Sequence, residues 1–417
     1  MPGAIIDATT PGAKCVQSAP FWAEPGADTS GHEDCLRLDI LVPTNPTSEK
    51  LPVLFQIHGG AYIAGSSIGS PGDALVYQSN GKLIYVSIQY RLGPLGFLSS
   101  DEVSADGTGN VGLLDQRLAL EWVRQNIQYF GGDPSQVTIF GGSAGGGSVS
   151  MQLILRGGDE NPPFRGAIPE YPWWTPIYDR RWVERQYEGF LQGANCSSLT
   201  CLRGLSTEEI QLATQVSYKT AYTNGEFPYG TYYWGPTVDG NIIRDYPRAE
   251  FANGHFTKVP VLVDRNGVEG TFFTNFSETR YSEIVADLST LFRSAPKEFT
   301  ERLLSLYPAS TYNSTWLHDI NIIKAIESES STQYNFSVPL AKRVALFGDA
   351  TINCPTHYIA SAIAGAGIKA YKLVFNAGTQ VHGATGSFIM TSTINRKPHR
   401  FIDRIRTKML STSHGNR

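Results

Sequence analysis

Val137-Thr138-Ile139-Phe140-Gly141-Gly142-Ser143-Ala144-Gly145-Gly146-Gly147 decides how this chain reads. A β-branched run stops at glycines that bracket a single serine, and an apolar segment of helical character follows over residues 144–155. Strand, sharp turn and helix in that order form a nucleophile elbow: a serine hydroxyl attacks a carbonyl only if it stands clear of the backbone, and glycines let the strand and the helix approach closely. Ser143 is therefore the candidate nucleophile.

The Gly-x-Ser-x-Gly pattern proves little alone, because a chain this rich in glycine produces roughly 0.3 matches by chance. A second match is present at Gly65-Ser66-Ser67-Ile68-Gly69. There Ser70-Pro71-Gly72 follows, so no helix is expected and a surface loop is predicted. Context separates the two serines.

Working outward, strand-like apolar runs occur at residues 36–42, 53–57, 83–88, 137–140, 259–263 and 370–375, with helical patterns between several of them. This is α/β alternation around a mostly parallel sheet. Leu114, Leu118, Trp122 and Val123 recur at helical spacing within residues 113–127 and predict core packing. Residues 173–246 read as irregular and aromatic, forming loops and short helices over the carboxyl edge of the sheet, where ligands bind in such folds. With 417 residues and 41% hydrophobic content, one large domain over 1–417 is expected. A formal charge of −4 with 17% charged residues offers no basic field for nucleic acid. No apolar run reaches the ~18 residues of a membrane span, so a soluble protein is expected.

A serine nucleophile needs a base, and the base needs a carboxylate to hold its tautomer. His382 lies in Gln380-Val381-His382-Gly383, in a loop just past a predicted strand, and is the best of the eight histidines. His58 also follows a strand, but its glycine neighbours fit another task. In His58-Gly59-Gly60-Ala61-Tyr62 the backbone N–H groups of Gly60 and Ala61, with that of Ala144, are the expected oxyanion donors. The acid is expected between serine and histidine in chain order. Glu269, in the turn after residues 259–263, and Asp264, nearer the strand, both qualify. This chemistry requires no metal or cofactor.

Cys15 and Cys35 flank a Pro/Gly-containing loop, and Cys196 and Cys201 are separated only by residues 197–200, so two local disulfides are expected with Cys354 left over. Sequons at Asn195, Asn275, Asn313 and Asn335 agree with the oxidising compartment this implies, and secretion is expected. No basic region followed by an apolar stretch opens the chain, so no signal peptide is visible.

The chain resembles the type-B carboxylesterase/lipase family, the cholinesterase-like branch of the α/β hydrolases, from about Cys15 to about Phe388. Phe130-Gly131-Gly132-Asp133-Pro134 leading to Gly145 is similar to the family's serine signature, and Glu33-Asp34-Cys35-Leu36 to its second signature, with Arg37 where Tyr or Thr is usual. Residues Tyr90 to Leu98 and Gly109 to Gln116 are also family-like, and the resemblance implies an ion pair between Arg91 and Asp115. It implies an α/β-hydrolase fold with insertions forming a gorge, places the acid at Glu269 of Asn266-Gly267-Val268-Glu269-Gly270, and supports both disulfides.

The departures narrow the expected activity. Cholinesterases carry Glu where this chain has Gly142, which argues against choline esters, and the Cys15 to Cys35 loop is short where the family's lipases carry a long flap. Tyr171 stands near a position where the family often has a buried serine, and Thr385 where many members have Glu. The family's N-terminal edge strands and C-terminal helices have no counterpart in the ends of this sequence, and a truncated gene product is expected. The resemblance implies a serine carboxylic-ester hydrolase acting on small to medium neutral esters, with a small-molecule ester as its only partner. A lipase or cholesterol-esterase-like activity, or a non-catalytic adhesion member of the fold, is the alternative. The oligomeric state is left open.

Overall fold

The computed structural model describes residues 12–20, 27–174, 180–313 and 337–390, the isolated positions Ala8, Trp22 and Trp316, and the backbone of residues 402–408. The six apolar runs become strands β1 (Arg37–Pro43), β2 (Leu51–Gln56), β3 (Ile84–Ile88), β4 (Gly132–Gly142), β6 (Val261–Asn266) and β7 (Ala370–Phe375), with β5 (Gly166–Glu170) between β4 and β6 in the chain and β8 (Ile402–Lys408) at an edge of the sheet. Their order across the sheet is β7-β6-β5-β4-β2-β3-β1-β8. All pairings from β3 to β7 are parallel, while β1 runs antiparallel to both of its neighbours. β3 buries every one of its residues and so both of its faces, while Val53 and Phe55 of β2 and Val137 and Ile139 of β4 are fully inside.

Three differences from the sequence reading matter for the site. β5 was not anticipated, because Gly166-Ala167-Ile168-Pro169-Glu170 is short and holds a proline, which normally keeps a segment out of a sheet centre. Its ladder to β6 is registered at Ala167–Val261 and Glu170–Asp264, on either side of that proline. β6 begins later than expected and runs through Asn266, so Asp264 belongs to the strand rather than to the turn after it. Finally, the region read as irregular holds two full-length helices, Arg180–Gly193 and Thr207–Thr223. Tyr187, Phe190, Ile210 and Tyr218 from their apolar faces build a second core with Phe227 and Trp234 of the segment that follows. Aromatic content masked a regular helical period there.

Helix Val111–Asn126 turns Leu113, Gln116, Ala119, Leu120 and Val123 fully inward. Leu114, Leu118 and Trp122 of the expected stripe are only half-buried, on its flank. Buried Gln116 is admitted because its amide donates to the Ser148 hydroxyl at 2.9 Å. On the same helix, Asp115 is gripped by the Arg91 guanidinium in a two-pronged ion pair at 2.7 and 2.8 Å.

The second serine motif is not a surface loop. Ser67 is 5% exposed and opens a one-turn helix, Ser67–Gly69. Its hydroxyl donates to buried Asp39 at 2.8 Å and accepts from Gln89 at 3.2 Å. A buried carboxylate needs donors, and Ser67 supplies one.

Candidate active site

Ser143 connects β4 directly to helix Ala144–Ile154, with φ 60° and ψ −125°. A non-glycine residue rarely adopts that backbone, and the surrounding contacts hold it there. The Ser143 N–H donates to the Glu170 carbonyl at 3.2 Å, and the Ser143 carbonyl accepts from Trp173 at 2.9 Å and Gly147 at 2.8 Å. Any side chain at Gly145 would overlap the Ile57 carbonyl oxygen, and a Cβ at Gly141 would come within 2.6 Å of the same atom. Glycine at these two places lets strand and helix meet.

Around this turn the structure brings Ser143, His382 and Glu269 together. His382 Nε2 is 2.8 Å from Ser143 Oγ, and His382 Nδ1 is 2.6 Å from Glu269 Oε2. A carboxylate only accepts, so Nδ1 carries the hydrogen and Nε2 presents its lone pair to the serine hydroxyl. Glu269 is 1% exposed, and its other oxygen accepts from the backbone N–H of Asn266 at 2.5 Å and from the Asn266 amide at 3.1 Å.

Asn266 had no role in the sequence reading, yet it ties the site together. Its side-chain oxygen accepts from the Thr385 N–H at 2.9 Å and from the Thr385 hydroxyl at 2.8 Å, just past His382. The turn bearing the carboxylate and the helix after the imidazole thus share one amide. Only the opening of the Asn266-Gly267-Val268-Glu269 turn hinted at this. Asp264, the rival acid, faces elsewhere: its Oδ1 accepts from the Tyr171 N–H at 2.8 Å. Burial pushes its pKa up to about 6.

Tyr171 accounts for Gly142. A Cβ at Gly142 or at Gly386 would overlap the Tyr171 hydroxyl, so this ring occupies the space of a side chain before the nucleophile. It also packs edge-on with His382, centroids 5.0 Å apart, and Phe273 does the same at 4.8 Å. The imidazole is therefore held by two aromatic rings as well as by its carboxylate.

Gly60 and Ala61 follow β2 with φ of 105° and 56°, and both line a cavity with Ser143 and His382. Ala144 is the first residue of its helix, whose leading N–H groups have no intrahelical acceptor. His58 is 1% exposed, stacked on Tyr90 at 4.3 Å, and burial lowers its pKa to about 4. Two cavities meet at Ser143, His382 and Gly60. One, of about 410 Å³, is lined by Gln56, His58, Phe140, Glu170, Tyr171 and Met390. The other, of about 450 Å³, is lined by Ala61, Ile63, Ala64, Tyr232, Phe272 and Phe273. Burial, reinforced by neighbouring Asp264, pushes the Glu170 pKa up to about 9.

The Cys15–Cys35 and Cys196–Cys201 disulfides are both formed, and Cys354 is free and exposed. Among the described residues no cluster of His, Cys, Asp or Glu could hold a metal ion, and no helix is long and apolar enough to cross a membrane. The sequon at Asn335 lies outside the described residues.

The chain matches the carboxylesterase family over residues 3–401. Lipase 2 of Geotrichum candidum is 38% identical over 309 residues, covering 69% of this chain and 54% of that protein. Carboxylesterase patB of Aspergillus clavatus is 32% identical over 371 residues, covering 84% of this chain and 61% of that protein. Among solved structures, Aspergillus niger EstA superposes with a TM-score of 0.71 at 29% identity, covering 87% of this chain and 66% of that one. The chain spans about half the length of the curated relatives it matches.

Proposed function

Because this chain belongs to the carboxylesterase family and has its α/β-hydrolase fold, we propose that it is a serine carboxylic-ester hydrolase working through an acyl-enzyme on small to medium neutral esters. The observation that carries this reading is the unbroken hydrogen-bonded chain from Ser143 Oγ through His382 to Glu269, at 2.8 and 2.6 Å. Ser143 attacks the ester carbonyl as His382 Nε2 takes its proton, and Glu269 stabilises the imidazolium. The N–H groups of Gly60, Ala61 and Ala144 receive the oxyanion. His382 then protonates the departing alcohol. In the second half it takes a proton from water, which attacks the acyl carbon, and returns that proton to Ser143 as the acid leaves.

A disulfide loop closing over only 20 positions favours soluble esters over an interfacial lipid substrate. The two disulfides favour secretion, with glycans at the sequons, and one catalytic domain spans the chain. A fluorophosphonate probe tests the reading: Ser143 is expected to be labelled and p-nitrophenyl acetate hydrolysed. A protein of native circular dichroism that neither labels nor hydrolyses would overturn it.

A further inference from the structure

The 410 Å³ cavity beside Ser143 is lined by three buried polar side chains, Glu170, Gln56 and His58, together with serine and tyrosine hydroxyls. Glu170 ends β5 as the register partner of Gly142, so a carboxyl stands one strand away from a position that carries no side chain. Glu170 is 3% exposed and lines the cavity. Gln56 and His58, 2% and 1% exposed, line it too, and Gln56 Oε1 and His58 Nε2 have no hydrogen-bond partner among the described residues.

The chemistry of those atoms is specific. His58 Nδ1 lies 2.8 Å from the Gly59 carbonyl, so Nδ1 holds the hydrogen and Nε2 is a bare lone pair. Burial keeps this ring neutral near pH 7, so Nε2 does not become a donor there. Gln56 Oε1 is an acceptor as well. Among the described residues no Lys or Arg lines the cavity. Buried acceptors left unpaired cost free energy, and a ligand rich in N–H groups removes that cost. A hydroxyl brings one donor and a quaternary ammonium none, whereas a primary ammonium brings three together with the charge that complements a carboxylate.

We propose that this cavity is a subsite for a primary ammonium group, held by Glu170, Gln56 and His58, and that the preferred ester carries a primary amine on one of its halves. This rests on the reading of Ser143 as the nucleophile of an ester hydrolase, and it replaces the neutral esters of that reading with small esters that bear an ammonium group. Glu170, kept protonated at neutral pH by its burial beside Asp264, releases its proton to solvent as the ammonium enters.

Direct calorimetric binding tests the subsite without requiring turnover. n-Butylammonium at pH 7 is expected to bind about ten-fold or more tightly than tetramethylammonium or n-butanol. Glu170→Gln, of nearly the same shape, is expected to remove about ten-fold of that affinity, and Gln56→Leu about three-fold, with native circular dichroism in both. Equal binding of the three probes, or undiminished binding of n-butylammonium by folded Glu170→Gln, overturns the subsite. Hydrolysis of p-nitrophenyl acetate without selective amine binding overturns the subsite alone. Selective amine binding without hydrolysis upholds it and removes the hydrolase reading instead.

Discussion

Ser143 and Ser67 occupy the same Gly-x-Ser-x-Gly pattern in one chain and have opposite fates. Ser67 opens a one-turn helix, is buried, and spends its hydroxyl on Asp39. Ser143 sits on a strained turn between a strand and a full helix, and its hydroxyl reaches a histidine that a second carboxylate holds. Both serines are linked to a carboxylate. The difference is the intervening imidazole, which on the proposed reading turns a hydrogen bond that stores stability into one that moves a proton.

The contrast breaks first at the serines themselves. Ser143→Ala is expected to lower kcat for p-nitrophenyl esters by about 10³-fold or more and to abolish fluorophosphonate labelling. Ser67→Ala should leave both unchanged and lower stability by about 1–3 kcal/mol, read as a fall in Tm, because Asp39 loses a buried donor. Labelling of the Ser143→Ala protein would reverse the assignment.

Next come the carboxylates. Glu269→Gln cannot hold Nδ1–H in the same tautomer and is expected to cost about 10³-fold in kcat with native circular dichroism. Asp264→Asn should cost less than about ten-fold, since Asp264 accepts from the Tyr171 backbone rather than from His382. A larger loss at Asp264 in steady-state assays would exchange their roles.

The flanking glycines sharpen the comparison structurally. A methyl group at Gly145 would overlap the Ile57 carbonyl oxygen, whereas one at Gly69 would find only Ser66 Oγ, at 3.7 Å. Gly145→Ala is expected to destabilise by about 1–3 kcal/mol and Gly69→Ala by less than about 0.5 kcal/mol in chemical denaturation. Equal losses would mean the elbow does not depend on close approach.

The last effect is electrostatic and belongs to the Ser143 side. Glu170 ordinarily titrates near 4.5 and in the folded protein near 9, so the native state holds a proton that the unfolded chain gives up between those values. Its contribution to stability is complete below about pH 4.5 and is lost as the pH rises towards 9. Thermal melts at pH 5, 7 and 9 should show Tm falling, and Glu170→Gln should flatten that fall. An unchanged slope in the variant would place the titration elsewhere.

Much of this was legible before any coordinates. β2, β3, β4 and β7 announce themselves as apolar β-branched runs, and the elbow and the His-Gly loop are short backbone motifs whose requirements lie in adjacent residues. β5 was hidden by Pro169, and helices Arg180–Gly193 and Thr207–Thr223 by aromatics distributed along them. Asn266 was invisible as a clamp because its two partners, Glu269 and Thr385, come from segments far apart in the chain.

By itself, then, the sequence determined the chemical kit: a strand ending in Ser143, a glycine-rich loop at Gly60 and Ala61, and a histidine and acids after later strands. These follow from local backbone geometry, which neighbouring residues dictate. The residues themselves left Glu269 and Asp264 both open, and the family resemblance pointed to Glu269. Tertiary structure shows the contact with His382, which joins residues 113 positions apart, as the serine contact joins residues 239 apart. It also decided that Tyr171 fills the space beside Gly142, and that Glu170 faces the cavity with two unpartnered acceptors. The physical reason is registry. The pairing of β4 with β5 and of β5 with β6 sets which side chains stand beside the nucleophile, and that pairing comes from long-range packing of the whole sheet.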